Sequence, residues 1–198
     1  MNDKLDHLLG KLKFLEEEML LEVHAREKRF SYTIREGKVH FTESVSRAHH
    51  LLAKKLIRYW RDAKWSSFIT TPVILSCIIP VAMMDFWATA YQCICFPAYG
   101  IPKVRRSDYI ILDRQKLHYL NSMERLNCAY CGYVNGAITY VQEIAGRTEQ
   151  HWCPVKHAVR LKTMHSRYRH FLDYGDAEQY RKCIEKVRSD FGDLKKKA

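Results

Sequence analysis

Apolar residues recur at alternating steps of four and three near the start of the chain: Leu5, Leu8, Leu12, Leu15 and Met19. That spacing lines one helical face and predicts an amphipathic helix over 3–29. Glu22 interrupts the next seam position, which argues against a long coiled coil. The helix is expected to pack on its own domain, with pairing to a partner or a second copy as the alternative. The period then changes. Phe30, Tyr32 and Ile34 alternate with polar residues, and Val39 and Phe41 alternate again after Arg35-Glu36-Gly37-Lys38. Such alternation around a glycine predicts a short hairpin turning at Gly37. Residues 43–65 return to a helical pattern, with Thr42 as N-cap and Glu43 in the first turn.

That second helical pattern ends in Lys54, Lys55, Arg58, Arg61 and Lys64, interleaved with Trp60 and Trp65. Cations and tryptophans beside an apolar run suit a membrane interface, and a solvated basic helix is the bland alternative. Between Trp65 and Lys103 the only charged side chain is Asp85. The length suffices for a membrane-embedded segment, set here at 67–102, against a buried core helix. Lys103, Arg105, Arg106 and Arg114 follow, so both flanks are basic. Positive flanks favour the cytoplasmic side, and one crossing cannot put both there. A re-entrant segment broken at Pro80 can, while a single span stays open. Asp85 is then a functional intramembrane carboxylate or an interfacial residue at a shallow turn. Pro97, Gly100 and Pro102 close the apolar region.

Farther on, Tyr109-Ile-Ile-Leu112 reads as a short strand, and Asp113 as the N-cap of a helix to about 126 carrying Leu117, Leu120 and Met123. A separate helix is expected over 134–150, weakened by Gly136 and Gly146. A last helix starts at Asp176 and runs to 190, before a frayed Lys195–Lys197 tail. The expected fold is mainly α with a short β-hairpin. It combines a helical membrane-embedded segment, re-entrant or spanning, with a metal-stabilised helical cytoplasmic domain. The expected divisions are 1–66, 67–102 and 103–198.

The metal expectation rests on Cys128-Ala-Tyr-Cys131 and Cys153-Pro-Val-Lys-His157, a C-x2-C and a C-x3-H pair with 21 residues between Cys131 and Cys153. Three thiolates and an imidazole suit a closed tetrahedral zinc site, with iron as another occupant. A thiol redox pair and cysteines buried as small apolar residues are the alternatives. Seven cysteines, three of them in the apolar stretch, do not resemble a secreted disulfide framework. The charged first twenty residues lack a signal-peptide core, so the metal site is expected in a reducing cytoplasm. Glu143 and Arg147 stand four apart, a spacing for an ion pair. The sharper reading makes Asp85, Glu143, Glu149 and His151 candidate catalytic groups for hydrolysis near a Lewis acid. Four protein ligands would close the zinc and argue against zinc-hydroxide chemistry at that site. Cys93 and Cys95 are apolar filler or lipidation candidates. His49, His50, His165 and His170 read as solvated.

The segments Cys95-Phe-Pro-Ala-Tyr-Gly-Ile-Pro-Lys-Val-Arg-Arg106, Leu126-Asn-Cys-Ala-Tyr-Cys-Gly-Tyr-Val-Asn-Gly136 and Ile144-Ala-Gly-Arg-Thr-Glu-Gln-His-Trp-Cys-Pro-Val-Lys-His-Ala158 resemble an uncharacterised, proteobacterial-type family of membrane-associated proteins. The resemblance covers roughly 70–180. It implies a bacterial origin and a membrane association, carries over no catalytic role and does not choose between enzyme and scaffold. The formal charge of +11 adds attraction to phosphates of lipid or nucleic acid. Without a recognition motif, nucleic acid is the least favoured partner. The expected function is therefore a bacterial inner-membrane-associated protein with a structural zinc module facing the cytoplasm, binding a protein partner or anionic lipid. Self-association would run through the N-terminal helix. A membrane-embedded metalloenzyme acting on a lipid-linked or amphipathic substrate is the alternative.

Overall fold

The structure is a computed structural model that describes residues 3–29, 32–35, 38–53, 61 and 64–195. The chain divides into two compact units, one formed by 1–62 with 113–125 and the other by 63–112 with 126–198. Phe30, Gly37, Lys54, Lys55, Arg58, Trp60, Lys196 and Lys197 lie outside the described residues.

In the first unit α1 spans Asp3–Arg29, as the three–four spacing predicts. Its Leu12, Leu15 and Met19 are exposed, so the expected packing of this stripe on its own domain is not met. The hairpin forms from β1 (Tyr32–Arg35) and β2 (Lys38–Phe41), antiparallel, with Tyr32 opposite Phe41 and Arg35 opposite Lys38. The next helix, α2 (Glu43–Leu52), follows Thr42, which sits at the N-cap in extended backbone without a capping side-chain bond. Phe41, His49, His118 and Tyr119 form an aromatic cluster with ring separations of 5.2–6.2 Å. Ser46 Oγ lies 3.2 Å from His118 Nδ1. Residues flanking the apolar stretch on opposite sides in sequence therefore touch within one unit. The helix expected from Asp113 is absent. A 3-10 turn occupies Arg114–Lys116 instead, and the long helix begins at Ser122. Asn121 explains the later start: its Oδ1 accepts from the Glu124 N–H, and Glu124 Oε2 accepts from the Asn121 N–H, both at 2.9 Å. This reciprocal box satisfies two amides at the helix start.

The second unit is built on the apolar stretch. Helix α3 (Trp65–Ser76) and α4 (Ile78–Tyr99) meet at a break at Cys77. Pro80 accounts for it, because its ring has no N–H for the Ser76 carbonyl four residues earlier and crowds it. The break does not reverse the chain into a hairpin. Trp65–Tyr99 remains a single element of 35 residues, long and apolar enough to cross a membrane by length and composition. Gly100 terminates it with φ of 67°, and Ile101 N–H returns to Phe96 O at 2.9 Å. Ile101 and Phe96 share the core, the apolar contact that accompanies this helix ending. The chain then continues irregularly, so the strand expected at 109–112 does not form.

A single helix, α5 (Ser122–Trp152), replaces the two shorter ones expected around Cys128 and Cys131. Gly136 lies inside it because loop backbone approaches there: an added Cβ would sit 2.7 Å from Tyr109 O and 2.9 Å from Ile110 Cα. Gly136→Ala is expected to push the 109–110 loop outward and cost about 1–3 kcal/mol, read as a lower urea midpoint. The core joins Phe96, Ile101, Val104, Tyr140, Ile144 and Phe191. After α5, the chain folds back through a 3-10 turn at Tyr168–His170 into α6 (Ala177–Ser189) and the short α7 (Gly192–Lys195). Asp176 caps α6 as expected, accepting from Gln179 N–H at 2.8 Å.

Candidate functional site

Polar side chains on α4 fall at Asp85, Thr89 and Gln92, steps of four and three that turn them to one face. That face meets α5. Asp85, only 5% exposed, accepts from Arg106 Nη2 at 2.7 Å, from Arg106 Nε at 3.2 Å and from Tyr133 Oη at 3.0 Å. The hydrogen bond to Asp85 raises the already high pKa of Arg106. Gln92 accepts from Val104 N–H at 2.9 Å and donates to Val104 O at 3.3 Å and to Tyr140 Oη. The one charge in the apolar helix is thus a neutralised, hydrogen-bonded strut between α4, the following loop and α5. A carboxylate hydrogen-bonded on both oxygens is satisfied by protein donors alone.

The same face of α5 continues through Glu143, Arg147 and Gln150. Arg147 donates to Glu143 at 2.9 Å and to the Pro102 and Lys103 carbonyls at 2.8 and 3.2 Å. Ser166 donates to the other Glu143 oxygen at 2.6 Å. Arg167, only 1% exposed along its side chain, donates to Gln150 at 2.6 Å, to Asp193 at 2.7 Å and to Asp190 O at 3.0 Å. Burial opposes ionisation of Asp193, but the hydrogen bond and charge of Arg167 outweigh it and hold this carboxyl below its ordinary value of 3.8. Burial and the neighbouring Arg167 push the His170 pKa down.

Between these two clusters opens a cleft of about 480 Å³. Its wall carries five cations (Lys103, Arg105, Arg147, Arg167, Arg169) against three carboxylates (Asp108, Glu143, Asp193). The ion pairs anchor the buried cations, while Lys103, Arg105 and Arg169 keep exposed side chains at the rim. The cleft begins three residues beyond Tyr99, the end of the apolar helix. Chemically this is a preformed basic recess suited to binding an oxyanion.

The catalytic candidates do not converge. Asp85 belongs to the α4–α5 strut and Glu143 to the cleft wall. Glu149 pairs with His165 at 3.0 Å. His165 Nδ1 accepts from Arg167 N–H at 3.3 Å, so the neutral ring carries its proton on Nε2 and donates it to Glu149. His165 also fills the space left by Gly146, where a Cβ would sit 2.5 Å from its Nδ1. His165 and His170, expected to be solvated, are partly buried, with side chains 14% and 23% exposed. His151 stacks among Tyr99 and Trp152, with centroids 5.1–5.3 Å apart.

Cys128 and Cys131 lie within α5, and Cys153 just past its end. Twenty-one residues of helix lie between Cys131 and Cys153, and the twenty-two steps from one to the other rise about 33 Å at 1.5 Å per residue. A four-ligand site needs its ligands within about 2.0–2.3 Å of one ion. The structure therefore does not bring Cys128, Cys131, Cys153 and His157 together within the chain. Among the described residues no group of three or more His, Cys, Asp or Glu side chains is disposed to hold a metal ion. The separation has a plain cause: the segment between the pairs is itself a regular helix, which cannot fold back on itself. Cys128→Ser is expected to shift stability by less than about 0.5 kcal/mol, with or without added zinc, in urea unfolding under reducing conditions. A loss of several kcal/mol reversed by zinc would restore the four-ligand site.

Reasoning from sequence missed Tyr133, Tyr140, Gln150, Arg106 and Arg167. A signal existed for three of them. Tyr133, Tyr140, Glu143, Arg147 and Gln150 recur at steps of seven, three, four and three, a polar stripe on one helical face. Arg106 and Arg167 come from loops and carried none. Comparison of the chain with family models, curated proteins and solved structures finds no match.

Proposed function

We propose that this protein is a one-faced membrane-associated protein, held on an anionic bilayer by the α3–α4 helix without crossing it, and acting by binding rather than catalysis. One observation carries the reading. Ser46 and His118 flank the apolar helix in sequence yet lie 3.2 Å apart. Chain before and after the helix then shares one aqueous side, which a single crossing would forbid. The helix nevertheless leaves large apolar side chains uncovered, among them Ile69, Val73, Ile79 at 63%, Met83, Phe86 and Trp87 at 65%. A helix with an uncovered apolar face and cations nearby lies in the interface plane of an anionic bilayer. The basic flanks fit the same arrangement. A binding role is favoured over the enzymatic one because Asp85, Glu143 and Glu149 each hold a basic partner, Arg106, Arg147 and His165. The sequence resemblance suggests a bacterial membrane for this role, and the basic flanks and the cysteine usage suggest its cytoplasmic face.

The test is topology. In bacterial cells and inside-out vesicles, single cysteines introduced as Thr42→Cys and Asp173→Cys in a cysteine-free background are expected to react with an impermeant maleimide from the same side. Labelling from opposite sides would sink the reading. Ile79→Ser with Trp87→Ser is further expected to weaken flotation with neutral phosphatidylcholine vesicles at least tenfold, since each buried side chain contributes about 1.5–3 kcal/mol.

A further inference from the structure

We infer that the cleft between the loop after α4 and the 166–169 turn is a binding site for a phosphate monoester that carries a hydroxyl near its phosphate, such as a glycerol phosphate group. The inference concerns the cleft alone and stands whether or not α3–α4 lies in a bilayer.

Charge comes first. Five cations face three carboxylates, so the recess has an excess of two positive charges. A phosphate monoester carries about −1.5 to −2 near pH 7 and matches that excess, where a carboxylate would supply half of it. Donor type points the same way. Four of the five cations are arginines, whose planar forks match phosphate oxygens bidentately. The carboxylates already have partners in part: Glu143 takes Arg147 and Ser166, and Asp193 Oδ2 takes Arg167 at 2.7 Å. That leaves Arg105 and Arg169 at the rim with long contacts to carboxylates, 4.0 Å to Asp108 and 3.6 Å to Asp193, Arg169 also donating from Nε to His170 Nε2 at 3.2 Å. Those contacts are weak enough to be exchanged for a dianion.

The second observation is an orphan acceptor. Asp193 lines the cleft, and its buried Oδ1 has no hydrogen-bond partner in another residue among those described, its own backbone N–H being the donor nearest the carboxyl. A buried carboxylate oxygen without a donor from another residue is costly, and a phosphate oxygen cannot relieve it, because both are acceptors. A ligand hydroxyl can. The recess therefore presents cations for a phosphate and one acceptor for a neighbouring hydroxyl. Its volume of about 480 Å³ lies within the range of small-ligand sites.

Such a group has two sources, a soluble phosphate ester or a lipid headgroup, and the experiment separates them. Glycerol 3-phosphate, methyl phosphate and glycerol are titrated calorimetrically into the full chain in detergent. Glycerol 3-phosphate is expected to bind at least fivefold tighter than methyl phosphate, and glycerol not to bind. Lys103→Gln with Arg105→Gln, both exposed side chains away from the buried ion pairs, is expected to weaken binding at least tenfold. Arg181→Gln with Lys182→Gln on exposed α6 removes the same charge elsewhere and is expected to leave it within twofold. In a second arm, flotation compares phosphatidylcholine vesicles with and without phosphatidic acid or lysophosphatidic acid, whose free glycerol hydroxyl makes it the closer match. Binding in the soluble arm alone assigns the site to a free ester. A gain with lysophosphatidic acid over phosphatidylcholine that the Lys103/Arg105 variant loses assigns it to a headgroup. No binding in either arm by a folded protein overturns the site. Equal affinity for methyl phosphate overturns the hydroxyl contact with Asp193. Equal loss in the α6 control reduces the effect to net charge and overturns the site as well.

Discussion

Arg167→Ala is expected to cost about 3–5 kcal/mol, the largest effect of any single substitution considered for this chain. The side chain is 1% exposed, and its guanidinium ties α5 through Gln150, the α6–α7 junction through Asp190 O, and α7 through Asp193. Removing it leaves a carboxylate, an amide oxygen and a carbonyl without their shared donor. A lysine cannot replace a planar fork that serves three acceptors in different directions. Gln150 also donates to Val187 O and Asp190 O at 2.9 and 2.7 Å, so the loss propagates to the docking of α6 and α7 on α5. The measurement is urea unfolding combined with limited proteolysis, where new cleavage is expected within 177–195. A midpoint unchanged within error would refute the assignment of Arg167 as the fastener of the C-terminal helices. The same contact predicts a pH dependence. The folded pKa of Asp193 is depressed below 3.8, so its contribution is fully present above that value and is lost as pH falls through the folded value. Arg167→Ala is expected to flatten this acid limb.

Glu143→Ala comes second, at about 3 kcal/mol or more, because it strands the Arg147 guanidinium in the protein interior. Glu143 and Arg147 side chains are 7% and 9% exposed. Arg147 also holds the Pro102 and Lys103 carbonyls, so the substitution is expected to loosen the loop that forms one wall of the basic cleft. Adding Arg147→Met is expected to recover part of the loss, since an apolar side chain needs no partner there. That recovery separates a structural pair from a catalytic one. A catalytic Glu143 would give a variant that folds with normal stability and lacks function, and the double substitution would bring nothing back.

These two clusters bear on function because they preform the recess. A site whose walls are ion-paired and hydrogen-bonded before a ligand arrives loses little conformational freedom on binding. The exposed α3–α4 face supplies a separate, apolar attachment. The two surfaces answer to different probes, neutral vesicles for one and phosphate esters for the other.

The linear chain determined its elements wherever a local pattern carried them. The three–four spacing from Leu5 to Met19 specified α1, the alternation around Gly37 specified the β1–β2 pairing, and Asp176 specified the start of α6. The long run with Asp85 as its one charge specified an apolar helix, and Pro97, Gly100 and Pro102 marked its end. Local signals sufficed in these cases because the periodicity or the cap is itself the cause of the element. Tertiary structure decided what those elements do to one another. Cys128, Cys131, Cys153 and His157 have ligand spacing in sequence, yet a continuous helix holds the two pairs about 33 Å apart. Asp85 by itself reads as an intramembrane carboxylate or as an interfacial residue at a shallow turn, and its partners Arg106 and Tyr133 come from elsewhere in the chain. The basic cleft draws its cations from the loop at 103–105, from α5 and from the turn at 167–169, stretches more than sixty residues apart at their extremes. No window of sequence contains it, because charge complementarity acts through space and the chain brings these residues together only when α4, α5 and α7 pack.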